Sequence, residues 1–355
     1  LHPSRVFEEN WDDFGDYRTH SVPSAEIFLP ELLRSGGYHS VMLGKWHLGE
    51  TSGHTPNDQG FDEFLGFLSG GAMFAEFDDP EAVRSMQEFD PIDRFLWPNL
   101  RFALRYNDQQ RFRPDEYMTD YLSTQAVRAI EANRDRPFFM YLSYNAPHTP
   151  LHAKKSDYDA LPMIDNHTER VYGGMMLALD RGIGRVLDAL DTQGLAENTL
   201  VIFSSDNGGA HYVGLPDLNA PYRGWKMSFF EGGTHVPYFM RWPARIKPGQ
   251  VSNAVMSHLD WMPTLAAAAG DAALKDDLLK GKKVGDKNAK LHLDGYNFLP
   301  YLSAESEAPP RREFIYHDDS GKPVCVRVGD WKIDYAENRA KTMALRAEPA
   351  VTLRL

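Results

Sequence analysis

Apolar positions along the chain fall into four cycles of one pattern: a stretch with helical spacing, a polar or glycine-bearing turn, then a short β-branched or aromatic run. Residues 27–34 carry the first helical spacing, Gly36-Gly37 the turn, and His39-Ser40-Val41-Met42-Leu43 the run. The second cycle is 116–134 followed by Pro137-Phe138-Phe139-Met140-Tyr141-Leu142. The third covers 168–193, where Met175, Met176, Leu179, Ile183, Val186 and Leu190 keep helical spacing. It stops at Gly194 and leads into Thr199-Leu200-Val201-Ile202-Phe203. In the fourth, Val236-Pro237-Tyr238-Phe239-Met240 precedes a helical stretch over 259–269. Short apolar strands alternating with helices predict an α/β fold, with a mostly parallel central sheet and helices on both faces.

Two segments break this rhythm. Residues 75–113, rich in Phe, Asp and Arg with scattered Pro, predict an insertion over the rim of the sheet. Residues 274–290 are Lys- and Asp-rich and read as a mobile surface loop or linker. Beyond them, Glu313-Phe314-Ile315-Tyr316-His317 and Val324-Cys325-Val326-Arg327-Val328 flank Asp318-Asp319-Ser320-Gly321-Lys322, the pattern of a β-hairpin and hence of a small antiparallel C-terminal subdomain. The predicted organisation is an α/β domain over 1–270, a surface loop or linker over 271–293, and part of an antiparallel subdomain over 294–355. The chain begins at Leu1 without the charged-then-apolar pattern of a leader and ends inside a mixed apolar-basic segment. Both ends read as cuts through a longer protein, or as processing.

Composition narrows the class. With 42% apolar and 25% charged residues the chain is neither fibrous nor disordered. No apolar run approaches the ~18–20 residues of a membrane span, and the mean hydropathy of −0.47 agrees. The balance of 38 basic against 50 acidic side chains, a net charge of −12, argues against bulk nucleic-acid binding. An anionic substrate must therefore be met by a local cluster of cations. The single cysteine, Cys325, excludes an internal disulfide framework and a multi-cysteine metal site.

Polar motifs follow the predicted strands. The first run ends in Gly44-Lys45-Trp46-His47-Leu48-Gly49, the second in Asn145-Ala146-Pro147-His148-Thr149-Pro150, and the third in Ser204-Ser205-Asp206-Asn207-Gly208-Gly209. In open α/β sheets ligands bind at the carboxyl ends of strands. Each motif taken singly has an ordinary explanation: a solvated lysine, a structural histidine, a proline-fixed turn, an Asp-Asn-Gly turn. Their convergence on one edge instead predicts an oxyanion site. Asp206 and the Asn207 side-chain carbonyl are hard oxygen donors suited to calcium or magnesium. Lys45, with Lys226 from Tyr222-Arg223-Gly224-Trp225-Lys226, would neutralise a tetrahedral anion, and His47 and His148 would move protons near neutral pH. All six groups are expected to face one cavity.

These residues resemble the sulfatase family. Leu29-Pro30-Glu31-Leu32-Leu33, Gly37-Tyr38 and Gly44-Lys45-Trp46-His47-Leu48-Gly49 are similar to its second conserved motif. Gly60-Phe61-Asp62-Glu63-Phe64, Ala146-Pro147-His148, Ser205-Asp206-Asn207-Gly208-Gly209, Arg223-Gly224-Trp225-Lys226, Glu231-Gly232-Gly233, Val236-Pro237 and His258-Leu259-Asp260 with Pro263-Thr264 follow in the family's order. The resemblance implies an arylsulfatase-type member of the alkaline-phosphatase superfamily, cleaving a small-molecule or glycan sulfate monoester by a metal-assisted covalent mechanism. It implies Asp206 and Asn207 as calcium ligands and Lys45 as the bridge between substrate sulfate and nucleophile. His47 would assist sulfate release, while His148 and Lys226 would grip the sulfate and assist the leaving oxygen.

The family forms its nucleophile, a formylglycine, from the first residue of Cys-x-Pro-Ser-Arg, and uses an N-terminal aspartate pair for calcium. Leu1-His2-Pro3-Ser4-Arg5 imitates the tail of that motif with Leu1 in the place of cysteine. Asp12-Asp13 imitates the pair but follows Pro-Ser-Arg, the reverse of the family's order. Cys325, with valine on both sides, reads as a buried structural thiol and not the modified residue. The chain as it stands is therefore expected to be inactive alone, its full-length form depending on a formylglycine-generating enzyme. Substrate choice is expected from 75–113 and from the loop carrying His211, Tyr212 and Tyr222. A nucleic-acid partner and a membrane span are not expected; location stays open, periplasmic or secreted positions fitting bacterial relatives. The alternatives are a phosphonate monoester hydrolase or phosphodiesterase of the same superfamily, and a non-catalytic sulfate-binding pseudoenzyme.

Overall fold

The computed structural model describes residues 21–88, 90–318 and 321–335, in two compact units. The first comprises the chain up to Ala196 together with Lys280–Leu291, the second Glu197–Leu279 with the chain from His292 onward. The Leu1-to-Arg5 run and Asp12-Asp13 lie outside the described residues.

The first unit opens with α1 (Leu29–Arg34), β1 (His39–Lys45), β2 (Glu63–Phe67), β3 (Ala82–Ser85), α2 (Pro91–Asn99) and β4 (Arg105–Tyr106). It continues through α3 (Met118–Asn133), β5 (Phe138–Ser143), β6 (Leu151–Lys154), α4 (Lys155–Asp159) and α5 (His167–Thr192). β2 and β5 flank β1 and run parallel to it, while β4 closes the β2 edge antiparallel. β1 is central because its run is apolar toward both faces: Val41, Met42 and Leu43 are at most 1% exposed, and α1 and α3 pack on the strand. At its far end Gly44 pairs with Gly66 of β2 and Ser143 of β5. A Cβ at Gly44 would lie 1.9 Å from the Ser143 carbonyl oxygen, and its φ of 101° belongs to glycine, so no other residue fits this crossing.

Local signals set the helices. Asn166 caps α5 by accepting from the Glu169 amide at 3.0 Å. Gly194, at φ 69°, ends it with the Leu195 amide donating to the Leu190 carbonyl. A charged knot joins α3, α4 and α5. Arg181 donates to both oxygens of Asp157 at 2.7 and 2.9 Å and to Asp120 at 3.1 Å, and Lys154 reaches Asp120 at 2.7 Å. The segment expected as an insertion carries β3, paired antiparallel with β6, together with α2 and β4.

In the second unit β7 (Val201–Ser204) precedes α6 (Glu231–Thr234) and β8 (Tyr238–Arg241), and the two strands pair antiparallel. α7 (Trp261–Ala268) and α8 (Leu274–Lys280) follow. β9 (Lys282–Val284) and β10 (Lys287–Ala289) form a hairpin belonging to the first unit, where Lys287 pairs with Glu31 at 2.9 Å. After α9 (Leu299–Leu302), the antiparallel strands β11 (Glu313–His317), β12 (Pro323–Val328) and β13 (Trp331–Asp334) complete the second unit.

The architecture is thus mixed α/β, with a parallel-rich central sheet and small antiparallel sheets toward the C-terminus. Two expectations fail: the runs at 199–203 and 236–240 do not enter the parallel sheet but pair antiparallel with each other as β7 and β8, and 274–290 is not a loop but a helix and a hairpin. Leu274, Leu278 and Val284 are at most 4% exposed and anchor it, the lysines and aspartates being its solvent side. The expected C-terminal hairpin is β11–β12, with a third strand alongside; Asp319 and Ser320 of its turn lie outside the described residues.

Candidate active site

In the first unit, β1 ends at Lys45 and its parallel neighbour β5 at Ser143, so the loops that follow leave from the same carboxyl edge. Lys45 is half-buried and stands opposite Phe67 of β2. Trp46 donates its amide to the Phe67 carbonyl at 3.0 Å and His47 its amide to Leu68 at 2.9 Å, carrying the ladder past the strand's end. The buried Trp46 indole donates to the His54 carbonyl at 2.9 Å and anchors the turn. His47 takes a φ of 57°, a left-handed conformation uncommon outside glycine and concentrated at functional sites. Its ring lies against Gly70, whose Cβ position is 2.6 Å from His47 Nε2.

His148 follows β5. Its amide donates to the Asn145 carbonyl at 2.8 Å, and its Nδ1 donates to the Thr149 carbonyl at 2.6 Å. A carbonyl only accepts, so the neutral ring keeps its proton on Nδ1 and carries its lone pair on Nε2. Asn145 Nδ2 donates to the Ala72 carbonyl at 2.7 Å, which ties the His148 turn to the Gly70-Gly71-Ala72 segment. The Cβ position of Gly71 lies 3.7 Å from His148 Nδ1. Both histidines therefore sit along two consecutive glycines at the end of the sheet.

In the second unit, the carboxyl end of β7 presents Asp206 and Asn207. Ser205 Oγ donates to the Asn207 carbonyl at 2.9 Å, and Asn207 Nδ2 donates to the Gly208 carbonyl at 3.0 Å. With the amide nitrogen so engaged, Oδ1 points the other way and suits a hard cation. Gly208 packs on the Gly232 backbone, where a Cβ would meet the carbonyl oxygen at 1.8 Å. Asn219 clamps Gly209 through paired bonds of 2.7 and 2.9 Å, and the Lys226 amide donates to the Gly209 carbonyl at 3.0 Å. Lys226 is thereby held beside the Asp-Asn turn. Burial lowers its ammonium's affinity for a proton, and the Asp206 charge pulls the other way.

The first unit thus brings together Lys45, His47 and His148; the second brings together Asp206, Asn207 and Lys226. A residue without an assigned role in the sequence reading joins the second group. His258 lies at hydrogen-bond distance from Ser204 Oγ, 3.3 Å through Nε2. Burial depresses its imidazole while Asp206 raises it. The signal available was the His258-Leu259-Asp260 run, which placed the residue in a motif without giving it a partner. Of the loop expected to shape substrate choice, Tyr212 is buried, Tyr222 is exposed against the His235 ring and His211 lies on Trp225. No group of three or more His, Cys, Asp or Glu placed to hold a metal occurs among the described residues, and Asp206 with Asn207 supplies two oxygens.

The first unit carries a lysine and two histidines at the carboxyl edge of a parallel-rich sheet, and the second carries an Asp-Asn turn beside a second lysine. The sulfatase family model matches residues 8–271, and the chain belongs to the sulfatase family, in the alkaline-phosphatase superfamily. It is 29% identical to the uncharacterised sulfatase YdeN of Escherichia coli (strain K12), over 83% of this chain and 50% of that protein. With the N-acetylgalactosamine-6-sulfatase of Homo sapiens it shares 30% identity over 84% of this chain and 52% of that protein. The crystal structure of Ps i-CgsB in complex with k-i-k-neocarrahexaose superposes with a TM-score of 0.72 at 31% identity, covering 94% of this chain and 72% of that one. The chain spans about half the length of the curated relatives it matches.

Proposed function

We propose that the protein carrying this chain hydrolyses sulfate monoesters of aryl or carbohydrate alcohols. The observation that carries this reading is the placement of Lys45, His47 and His148 on one carboxyl edge, in a chain of the sulfatase family. Lys45 and Lys226 are assigned to the sulfate oxygens, where positive charge offsets what collects as the S–O bond breaks. His148 is assigned to the leaving oxygen: in its imidazolium form it gives the Nε2 proton to the departing alcohol and is left as the neutral ring with its proton on Nδ1. His47 is assigned to the proton transfer that frees the sulfate. Asp206 and Asn207 Oδ1 would hold a calcium ion, or magnesium; further oxygens must complete a shell of six or more. Such an ion, when bound, supplies Lewis-acid charge at the sulfate. Cys325 is excluded as a nucleophile precursor, being wholly buried in β12.

The test is turnover by the full-length protein, co-expressed with a formylglycine-generating enzyme, on matched aryl and carbohydrate sulfates and on aryl phosphates and phosphonates. Sulfate esters should be the preferred class. Lys45→Ala, His148→Ala and Lys226→Ala should each lower kcat/KM by roughly 100-fold or more, the usual cost of one charge-stabilising donor. Faster turnover of phosphonates or phosphates would move the protein to the neighbouring hydrolases. No turnover of any ester, with retained sulfate binding, would make it a binding protein.

A further inference from the structure

The first unit holds a cleft of about 470 Å³ that the proposed chemistry leaves unused. It is lined mainly by Met73, Phe77, Met86, Trp97, Leu100 and Phe102. This size is typical of small-molecule sites. Its walls are built rather than incidental. Asp90 caps α2 by accepting from the Ile92 amide at 2.7 Å, and Asp93 accepts from the Gln87 amide at 2.6 Å and the Trp97 indole at 3.3 Å. Trp97 is thus fixed, and Phe77 meets it edge to face with centroids 5.8 Å apart. Arg84 covers the Phe77 ring at 4.0 Å and bonds the Phe77 carbonyl. Yet Phe77 remains 50% and Met86 45% exposed, an unusual outlay of apolar surface beside an open cleft.

The cleft also adjoins the candidate site. Leu100 and His148 approach the same point, the Cβ position of Gly71, at 3.2 and 3.7 Å. The Met73 amide donates to the Arg101 carbonyl at 3.0 Å and Ala72 accepts from Asn145, so cleft floor and His148 turn share one backbone segment. Among the cleft's charged groups, Glu76 is paired with Arg113, and Arg101 donates to the Pro98 carbonyl at 2.9 Å. A sugar would ask for several hydroxyl partners; the surface offers apolar edges instead.

Resting on the sulfate-ester reading, we propose that this cleft seats the alcohol half of the substrate, and that this half is an apolar fused ring rather than a sugar. The binding test needs no turnover, so it separates this proposal from the reaction assigned above. The full chain is titrated with 4-methylumbelliferone, the unsulfated alcohol, and with galactose, following ligand fluorescence and calorimetry. The arene should bind, galactose should not, and the half-exposed positions Phe77→Ala and Met86→Glu should each weaken arene binding about tenfold or more. Circular dichroism confirms that the variants fold. Absence of arene binding, equal binding by both variants, or cleft-dependent binding of galactose alone would overturn the proposal. Binding as expected with no sulfate ester turned over would instead remove the reaction and leave the cleft.

Discussion

Cys325 is the only thiol in the chain, and its surroundings decide its chemistry. It is wholly buried, and burial together with the hydrogen-bonded Asp334 carboxylate pushes the thiol up to about 12. At pH 8 the neutral form dominates, and the thiolate is the reactive species. Iodoacetamide at that pH should therefore leave the native protein unlabelled and add one equivalent in concentrated urea, as intact-mass measurement would show. Gly44 makes an opposite demand, for absence. Gly44→Ala places a methyl 1.9 Å from the Ser143 oxygen at a φ of 101°, so β1 and β5 must part, and a loss of about 3 kcal/mol or more in urea unfolding is expected. Such residues explain what was legible in the site. Lys45, His47, His148 and the Asp206-Asn207 pair stand directly after apolar runs, so strand ends betrayed them. His258 was opaque, because its partner Ser204 lies fifty-four positions away and only the folded backbone brings them together.

Elements were legible wherever one face was apolar over several turns. α3 and α5 lie within two residues of the bounds their spacing predicts, and β11 matches its run. α8 and the β9–β10 hairpin were missed because two leucines and one valine carry them amid lysines and aspartates, too few to raise a periodic signal. Pairing was the less legible part: β7 and β8 each read as a buried strand, yet they form an antiparallel pair of their own. Between elements, charge now does what apolar faces do within them. Arg181→Met leaves Asp120 and Asp157 buried without their shared guanidinium. Breaking a buried pair costs ~3–5 kcal/mol, less here because Arg181 is 41% exposed, so about 2 kcal/mol is expected from urea midpoints. Arg311→Ala should cost more, about 4 kcal/mol. Its side chain is 5% exposed, and Asp260 accepts from it at 2.6 and 2.9 Å while capping α7's approach through Ser257.

At the scale of the molecule, stability and pH are linked through groups that titrate differently once folded. The net charge of −12 resides mostly on exposed carboxylates, and acidification toward the pI of about 5.5 relieves their repulsion. His152 acts in the other direction. Its ring is wholly buried against Trp97, with centroids 5.9 Å apart, and neither ring nitrogen has a hydrogen-bond partner among the described residues. Burial, with the Arg84 charge adding and Asp79 opposing, pulls its imidazole down to about 4. An unfolded chain titrates this group near 6.5. Between these values the unfolded state binds a proton that the native state refuses, so native stability is intact above about 6.5 and falls as the pH drops toward 4. One buried histidine shifted this far accounts for about 3 kcal/mol across that window. Repulsion among carboxylates at the exposed positions is screened by water and salt, so the histidine should win. Urea midpoints measured from pH 7 to pH 4 should decline for the native sequence and stay flatter for His152→Leu, so that the native curve falls progressively below the variant's toward the acid end. Parallel curves would show that His152 takes up its proton without leaving the fold.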